Sequence, residues 1–217
     1  MGLITKQKTI IIEYLSILRY SPRGDKPIDQ KSRQVKDSIK GWTISGFSSS
    51  LAEIMSQNKG IGDFLGNSTL VPIPSSNLVK SDSLRVPLEI CDELKKVETH
   101  LQICDCLERY LPVKQAKLGF TSDNRPSLEE HLKSIKFIDN LIYTDSIVLV
   151  DDVLTTGTIA AACARILNNV YPNKQIRVFA LLRTVTEIPD KAKNIRHIET
   201  GTITLYPSNK TYIKVNQ

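Results

Sequence analysis

Thirteen residues constrain this chain more than any others: Ile147-Val148-Leu149-Val150-Asp151-Asp152-Val153-Leu154-Thr155-Thr156-Gly157-Thr158-Ile159. The apolar run Ile147 to Val150 is short, rich in β-branched residues and flanked by polar ones. It predicts a strand buried on both faces. Thr158 to Leu167 lacks Gly and Pro and carries Ala160, Ala161, Ala162 and Ala164, so it predicts a helix. Between them stand two carboxylates and a hydroxyl-rich tight loop. A buried strand turning sharply into a helix is a unit of α/β architecture, and such sheets bind ligands beyond the carboxyl ends of their strands.

The chemistry follows from that order. A helix N-terminus presents backbone N–H groups without intrahelical partners and a partial positive charge, which suits a phosphate. Gly157 lets the backbone approach a ligand closely, and the threonine hydroxyls add donors. Asp151 and Asp152, ionised, only accept hydrogen bonds, so they suit sugar hydroxyls or a hydrated Mg²⁺. A phosphate beside a pair of ribose hydroxyls describes a ribose 5-phosphate.

The stretch resembles the thirteen-residue phosphoribosyl pyrophosphate (PRPP) motif of type I phosphoribosyltransferases: four apolar residues, an acidic pair, a variable pair, then a Thr-Thr-Gly-Thr type loop. The resemblance implies a doubly wound parallel β-sheet of that family's kind, with an added helical N-terminal region. It implies that Asp151 and Asp152 bind the ribose 2- and 3-hydroxyls and meet the metal through Mg-PRPP. Thr155, Thr156, Gly157 and Thr158 would cradle the 5-phosphate, with Val153 and Leu154 as the variable pair of the PRPP-binding segment. Ile159 departs from the motif, where many members keep a hydroxyl residue.

A second buried strand is predicted at Thr69-Leu70-Val71-Pro72-Ile73-Pro74, the prolines holding the preceding residues extended. It runs into Ser75-Ser76-Asn77, a turn rich in donors. Beside the PRPP motif, this segment resembles the pyrophosphate loop of the same family, and Val-Pro-Ile-Pro resembles a strand end of its ComF-like (competence-associated) branch. Ser75, Ser76, Asn77 and Lys80 are the residues implied for pyrophosphate. That branch continues with an Arg-rich segment, whereas here Lys80 and Arg85 stand nearby, and a solvated Lys80 is the alternative.

The polar interval 113–127 lies between these two segments. In the family it holds a loop that closes over the site. Cations arriving on closure stabilise departing pyrophosphate, and closure keeps water from an oxocarbenium-like ribose. Lys114, Lys117 and Arg125 are the candidates, against a solvated loop. Gln175 to Leu182 predicts the next parallel strand. It ends in Arg183-Thr184, where Arg183 either faces the acceptor pocket or forms a structural salt bridge.

The rest of the chain is read locally. Residues 8–20 predict an amphipathic helix, with Ile11, Tyr14, Leu15 and Leu18 on one stripe. Further helices are expected at 28–40, 51–57, 84–97, 99–110 and from the capping pattern Ser127-Leu128-Glu129-Glu130 to about Ile138. Gly60 to Asp63 predicts a turn, residues 187–198 a connection, and 203–206 and 211–215 short strands. His131 is expected as a surface or partly buried histidine and not as a catalytic base. The expected division is a helical hood region, 1–66, packed on an α/β core, 67–217.

Composition fits that reading. The chain has 217 residues with 41% hydrophobic and 24% charged content, ordinary for a globular protein. No apolar run approaches a membrane span, and the first residues lack the pattern of a secretory leader. The net charge of +6 suits a polyanionic small molecule, and nucleic acid equally. Cys91, Cys104, Cys106 and Cys163 fall in predicted helices without framework spacing, which favours a reducing, cytoplasmic setting. His100, Cys104 and Cys106 are poorly spaced for zinc.

The function expected is therefore transfer of a 5-phosphoribosyl group from Mg-PRPP to a nitrogenous base or related acceptor, releasing pyrophosphate. The cofactor is Mg²⁺, and family habit implies a homodimer. The alternatives are a non-catalytic PRPP-binding regulator or a ComF-like nucleic-acid-associated protein. A weaker one is hydrolysis of PRPP.

Overall fold

The computed structural model describes residues 8–41, 47–75, 78, 85–113 and 125–216. Within them the chain runs β1 (Ile10–Tyr20), α1 (Pro27–Gly41), α2 (Phe47–Gln57), α3 (Lys59–Leu65), β2 (Ser68–Pro72), α4 (Val86–Val97), β3 (Gln102–Ile103), β4 (Leu107–Arg109), α5 (Leu128–Ser134), β5 (Ile135–Phe137), β6 (Ser146–Leu154), α6 (Thr158–Val170), β7 (Gln175–Thr184), β8 (Arg196–Leu205) and β9 (Thr211–Val215). Seven strands form one sheet in the order β3-β2-β6-β7-β1-β8-β9. The first five in that order are parallel. β8 is antiparallel to β1, and β9 to β8. β4 and β5 pair as a separate antiparallel ribbon.

The apolar run of β6 explains the layering. Ile147 and Leu149 face one core, shared with α5, α6 and the β4–β5 ribbon. Val148 and Val150 face the other, shared with α1, α2, α3 and α4. All four are fully buried, and burying each such side chain contributes about 1.5–3 kcal/mol. The alternation repeats in β7, with Val178 and Ala180 on the first face and Phe179 and Leu181 on the second. The result is a mostly parallel sheet covered by helices on both faces, as the motif strand predicts. Among the described residues, no helix is long and apolar enough to cross a membrane.

Several local expectations are corrected. Residues 10–20 are a strand, with β1 lying between β7 and β8. Its apolar spacing imitates a helical stripe because Tyr14 through Leu18 are all buried, covered from both sides of the sheet. Such a strand has no wet face to reveal a period of two. Thr99 to Tyr110 holds the short strands β3 and β4, with Cys104 and Cys106 between them. Gly60 to Asp63 lies inside α3, where Ile61 and Leu65 anchor one turn-spaced face. The capping pattern at Ser127 is real: its side chain accepts from the Glu130 N–H, and the Ser127 N–H donates to the Glu130 carboxylate. The helix nevertheless stops at Ser134, and Ile135–Phe137 becomes β5. The connection expected at 187–198 gives way to β8 from Arg196.

Candidate active site

β6 carries its buried run to the edge of the sheet and ends in the acidic pair. Asp151 is 8% exposed and stands opposite Ala180 of β7. Its Oδ1 accepts the N–H of Asp152 at 2.9 Å. Burial, then the charge of Asp152, pushes the Asp151 carboxyl well above the ordinary carboxylate range. Asp152 is half-buried. Two carboxyls this close favour a proton, a cation or hydroxyl donors between them and a ligand.

The loop that follows is shaped by Gly157. Its φ of 71° and ψ of 5° lie in the left-handed region, where a side chain is strained. A Cβ there would also come within 3.1 Å of Ile203. The first helical bond of α6 runs from the Ala161 N–H to the Gly157 carbonyl at 2.8 Å. The N–H groups of Thr158, Ile159 and Ala160 therefore precede any intrahelical acceptor, and no side chain caps them. Hydroxyl pairs fix the loop's flanks. Thr155 meets Thr184 of β7 at 3.0 Å, Thr156 meets Thr158 at 3.0 Å, and Thr158 meets Thr211 of β9 at 3.2 Å. An acidic pair thus stands beside a donor-rich helix start, a set of groups that suits a phosphorylated sugar.

β2 lies next to β6, with Pro72 opposite Val150, and the Ile73 N–H donates to the Val150 carbonyl at 2.9 Å. Ser75, exposed, therefore leaves the sheet at the same end as the acidic pair. Beneath it lies Arg109 of β4, 1% exposed. Its Nε donates to the Ser75 carbonyl, its Nη1 to Ser134 Oγ at 2.5 Å, and its Nη2 faces His131 Nδ1 at 3.3 Å. His131 is buried, and burial, then Arg109, lower its pKa to about 4. It is neutral at pH 7 and accepts through Nδ1.

The expected residues therefore divide. Asp151, Asp152, Val153, Leu154, Thr155, Thr156, Gly157 and Thr158 are continuous across the end of β6 and the start of α6, and Ser75 exits beside them. Arg125, half-buried, stands at the foot of α5, two residues ahead of its Ser127 cap. Ser76, Asn77, Lys80, Lys114 and Lys117 lie outside the described residues. Arg183 turns its guanidinium onto backbone carbonyls and Glu199, the salt-bridge alternative. The sequence gives no short-range sign of Arg109, His131, Glu199 or Tyr14 as neighbours of the site. Their partners are distant in the chain, and two of them sit in segments with misleading helical spacing. All four cysteines are buried and free, and among the described residues no cluster of His, Cys, Asp and Glu is arranged to hold a metal ion by itself.

No family model matches this chain, and no curated protein matches it. Among solved structures, it is similar to a hypoxanthine phosphoribosyltransferase from Staphylococcus aureus in two crystal forms. The tetragonal form shares 14% identity over 75% of this chain and 71% of that one, with a TM-score of 0.32. The orthorhombic form has the same identity and coverage and a TM-score of 0.29.

Proposed function

We propose that this protein is a phosphoribosyltransferase that uses Mg-PRPP and passes the 5-phosphoribosyl group to a nitrogenous base or related acceptor. The observation that carries the reading is the junction of β6 and α6. A buried Asp151 beside a half-buried Asp152 is followed, through the left-handed Gly157, by the N–H groups of Thr158 to Ala160 that precede any intrahelical acceptor. The acid pair takes the ribose hydroxyls, and the loop takes the 5-phosphate. Ser75, one strand away, stands where the pyrophosphate would lie. Asp151 and Asp152 are the residues that would hold Mg²⁺ together with PRPP, and the ion would supply charge neutralisation for the leaving pyrophosphate. The protein's own contribution is orientation and fixed dipoles, with no covalent enzyme intermediate. The likeness of Val71-Pro72-Ile73-Pro74 to the ComF-like branch belongs to this proposal.

The basic N-terminal region supports a small-molecule role over a nucleic-acid one, because several of its cations are engaged internally. Lys26 pairs with Glu187 at 3.4 Å and Asp190 at 2.7 Å. Arg33 donates to the carbonyls of Ser21 and Gly24 at 3.0 and 2.8 Å. Lys36 lies 5.3 Å from the centre of the Tyr20 ring.

The test is thermal unfolding with and without Mg-PRPP, for the natural protein and for Asp151→Asn/Asp152→Asn. Ligand at about a hundred times its Kd stabilises the fold by about 2.7 kcal/mol. A shift in the natural protein that vanishes in the variant supports the site, and no shift in either sinks the reading. Pyrophosphate release across a panel of bases then separates a transferase from a PRPP-binding regulator. Ribose 5-phosphate released without acceptor would mark hydrolysis.

A further inference from the structure

A loop that binds an anion through its N–H groups must turn its carbonyls the other way, and buried carbonyls need donors of their own. Arg183, at the end of β7, supplies them here. Its Nη1 lies 3.2 Å from the Leu154 carbonyl, 2.9 Å from that of Thr155 and 2.8 Å from that of Thr184. Peptide units are planar and trans, so holding the Thr155 carbonyl back directs the Thr156 N–H the opposite way. Behind the guanidinium stands a charge partner, in an ion pair and not an aligned hydrogen bond, since the buried Nε has no hydrogen-bond acceptor among the described residues. That Nε is 3.1 Å from Oε1 of Glu199, which is 8% exposed on β8. The same oxygen accepts the Tyr14 hydroxyl of β1 at 2.8 Å. Burial, then the bond to Glu199, raises Tyr14 to about 12, which keeps it a donor. Space for its ring depends on Gly201, where a Cβ would fall 2.6 Å from the ring. Tyr14, Glu199 and Arg183 thus link three strands to the back of one loop.

We propose that Arg183, oriented by Glu199 and Tyr14, is a positioning residue that sets the peptide planes of the Thr155–Thr158 loop so that their N–H groups face the 5-phosphate. This rests on the PRPP reading above. It gives Arg183 no contact with the acceptor and gives Glu199 a role through Arg183 alone. A cation behind the carbonyls also adds to the positive field that the phosphate meets in front.

The experiment combines Mg-PRPP titration calorimetry with ¹⁵N relaxation of the ligand-free loop, for Arg183→Gln, Glu199→Gln, the double variant and Arg183→Lys. Arg183→Gln is expected to weaken Mg-PRPP by roughly tenfold or more, the scale of one or two lost charged hydrogen bonds. Order parameters at Thr155 to Gly157 are expected to fall from about 0.85, typical of rigid backbone, toward about 0.6, while those of the sheet hold. Glu199→Gln should do the same to a smaller extent. The double variant should match Arg183→Gln alone, because Glu199 acts through Arg183. Arg183→Lys, a cation without the planar fork, should fall between. Where Arg183→Gln fails to fold, Arg183→Lys and Glu199→Gln carry the same comparison. Natural loop order and natural affinity in those variants would overturn the proposal, as would a double variant whose effects simply add. If the natural protein does not bind Mg-PRPP, the transferase reading fails and the loop order parameters alone decide the role of Arg183.

Discussion

At the scale of single residues, the site is kept at an electrostatic disadvantage. Asp151 is an acid whose folded pKa is raised, so its favourable contribution is complete below the unfolded value and is lost as pH rises through the folded one. Asp151→Asn removes that penalty near neutrality. It is expected to stabilise the ligand-free protein by about 1–2 kcal/mol, or roughly 2–8 °C in Tm for a chain of this size, while abolishing the Mg-PRPP shift. A fall in Tm on this substitution would contradict the account. His131 has the opposite linkage. Its folded pKa of about 4 lies below the ordinary 6.5, so the unfolded chain takes up the proton first. Stability is therefore lost as pH falls from about 6.5 toward 4, by on the order of 2–3 kcal/mol. Urea unfolding at several pH values should show that slope flattened in His131→Gln. An unchanged slope would assign the acid sensitivity to other groups.

At the scale of elements, the decisive piece is the turn from β6 into α6. Gly157→Ala forces a side chain into the left-handed region and against Ile203. It is expected to cost about 1–3 kcal/mol of stability and to remove Mg-PRPP binding, read by chemical unfolding and calorimetry. Normal binding by this variant would mean that the loop does not need its present backbone. This element was also the most legible in the sequence. Ile147 to Val150, the acid pair and the alanine helix each carry a local signal, and all point to one supersecondary unit. The Ser127 capping box was legible for the same reason, since both partners lie within one turn. β1 was not, because burial on both sides erases its alternation and leaves apolar spacing that a helix also satisfies. The short strands β3 and β4 have two and three residues, too few for any period to register. Arg109 and Glu199 were hidden more deeply. A buried charge is recognisable only through its partners, and those partners are supplied by the fold.

At the scale of the whole molecule, the N-terminal strand is structural and not an appendage. β1 pairs with β7 along one edge and β8 along the other, and it contributes Tyr14, Leu15, Ile17 and Leu18 to the two cores. A chain beginning at Pro27 would leave β7 and β8 without the strand between them and would uncover both apolar layers. Such a fragment is expected to lose its cooperative unfolding transition and its near-UV circular dichroism. A cooperative, well-dispersed fragment would show that the sheet closes without β1.

The place of β1 also governs how the protein is made. Tyr14 and Glu199 are hydrogen-bonded although they stand 185 residues apart in the chain. At about 5–20 residues per second, the ribosome releases the first strand roughly 10–40 s before its neighbour β8. Until β7 emerges late in that interval, an apolar segment with open backbone edges has no native partner in the sheet, so it would suit a holding chaperone. β1 precedes the other strands of its sheet in the chain and is among the last to be paired. Closure of the sheet, and with it the linkage from Tyr14 through Glu199 to the loop of Thr155, therefore waits for the C-terminal strands. A nascent chain stalled before β8 carries every residue of the acidic pair and its loop, yet lacks the finished site.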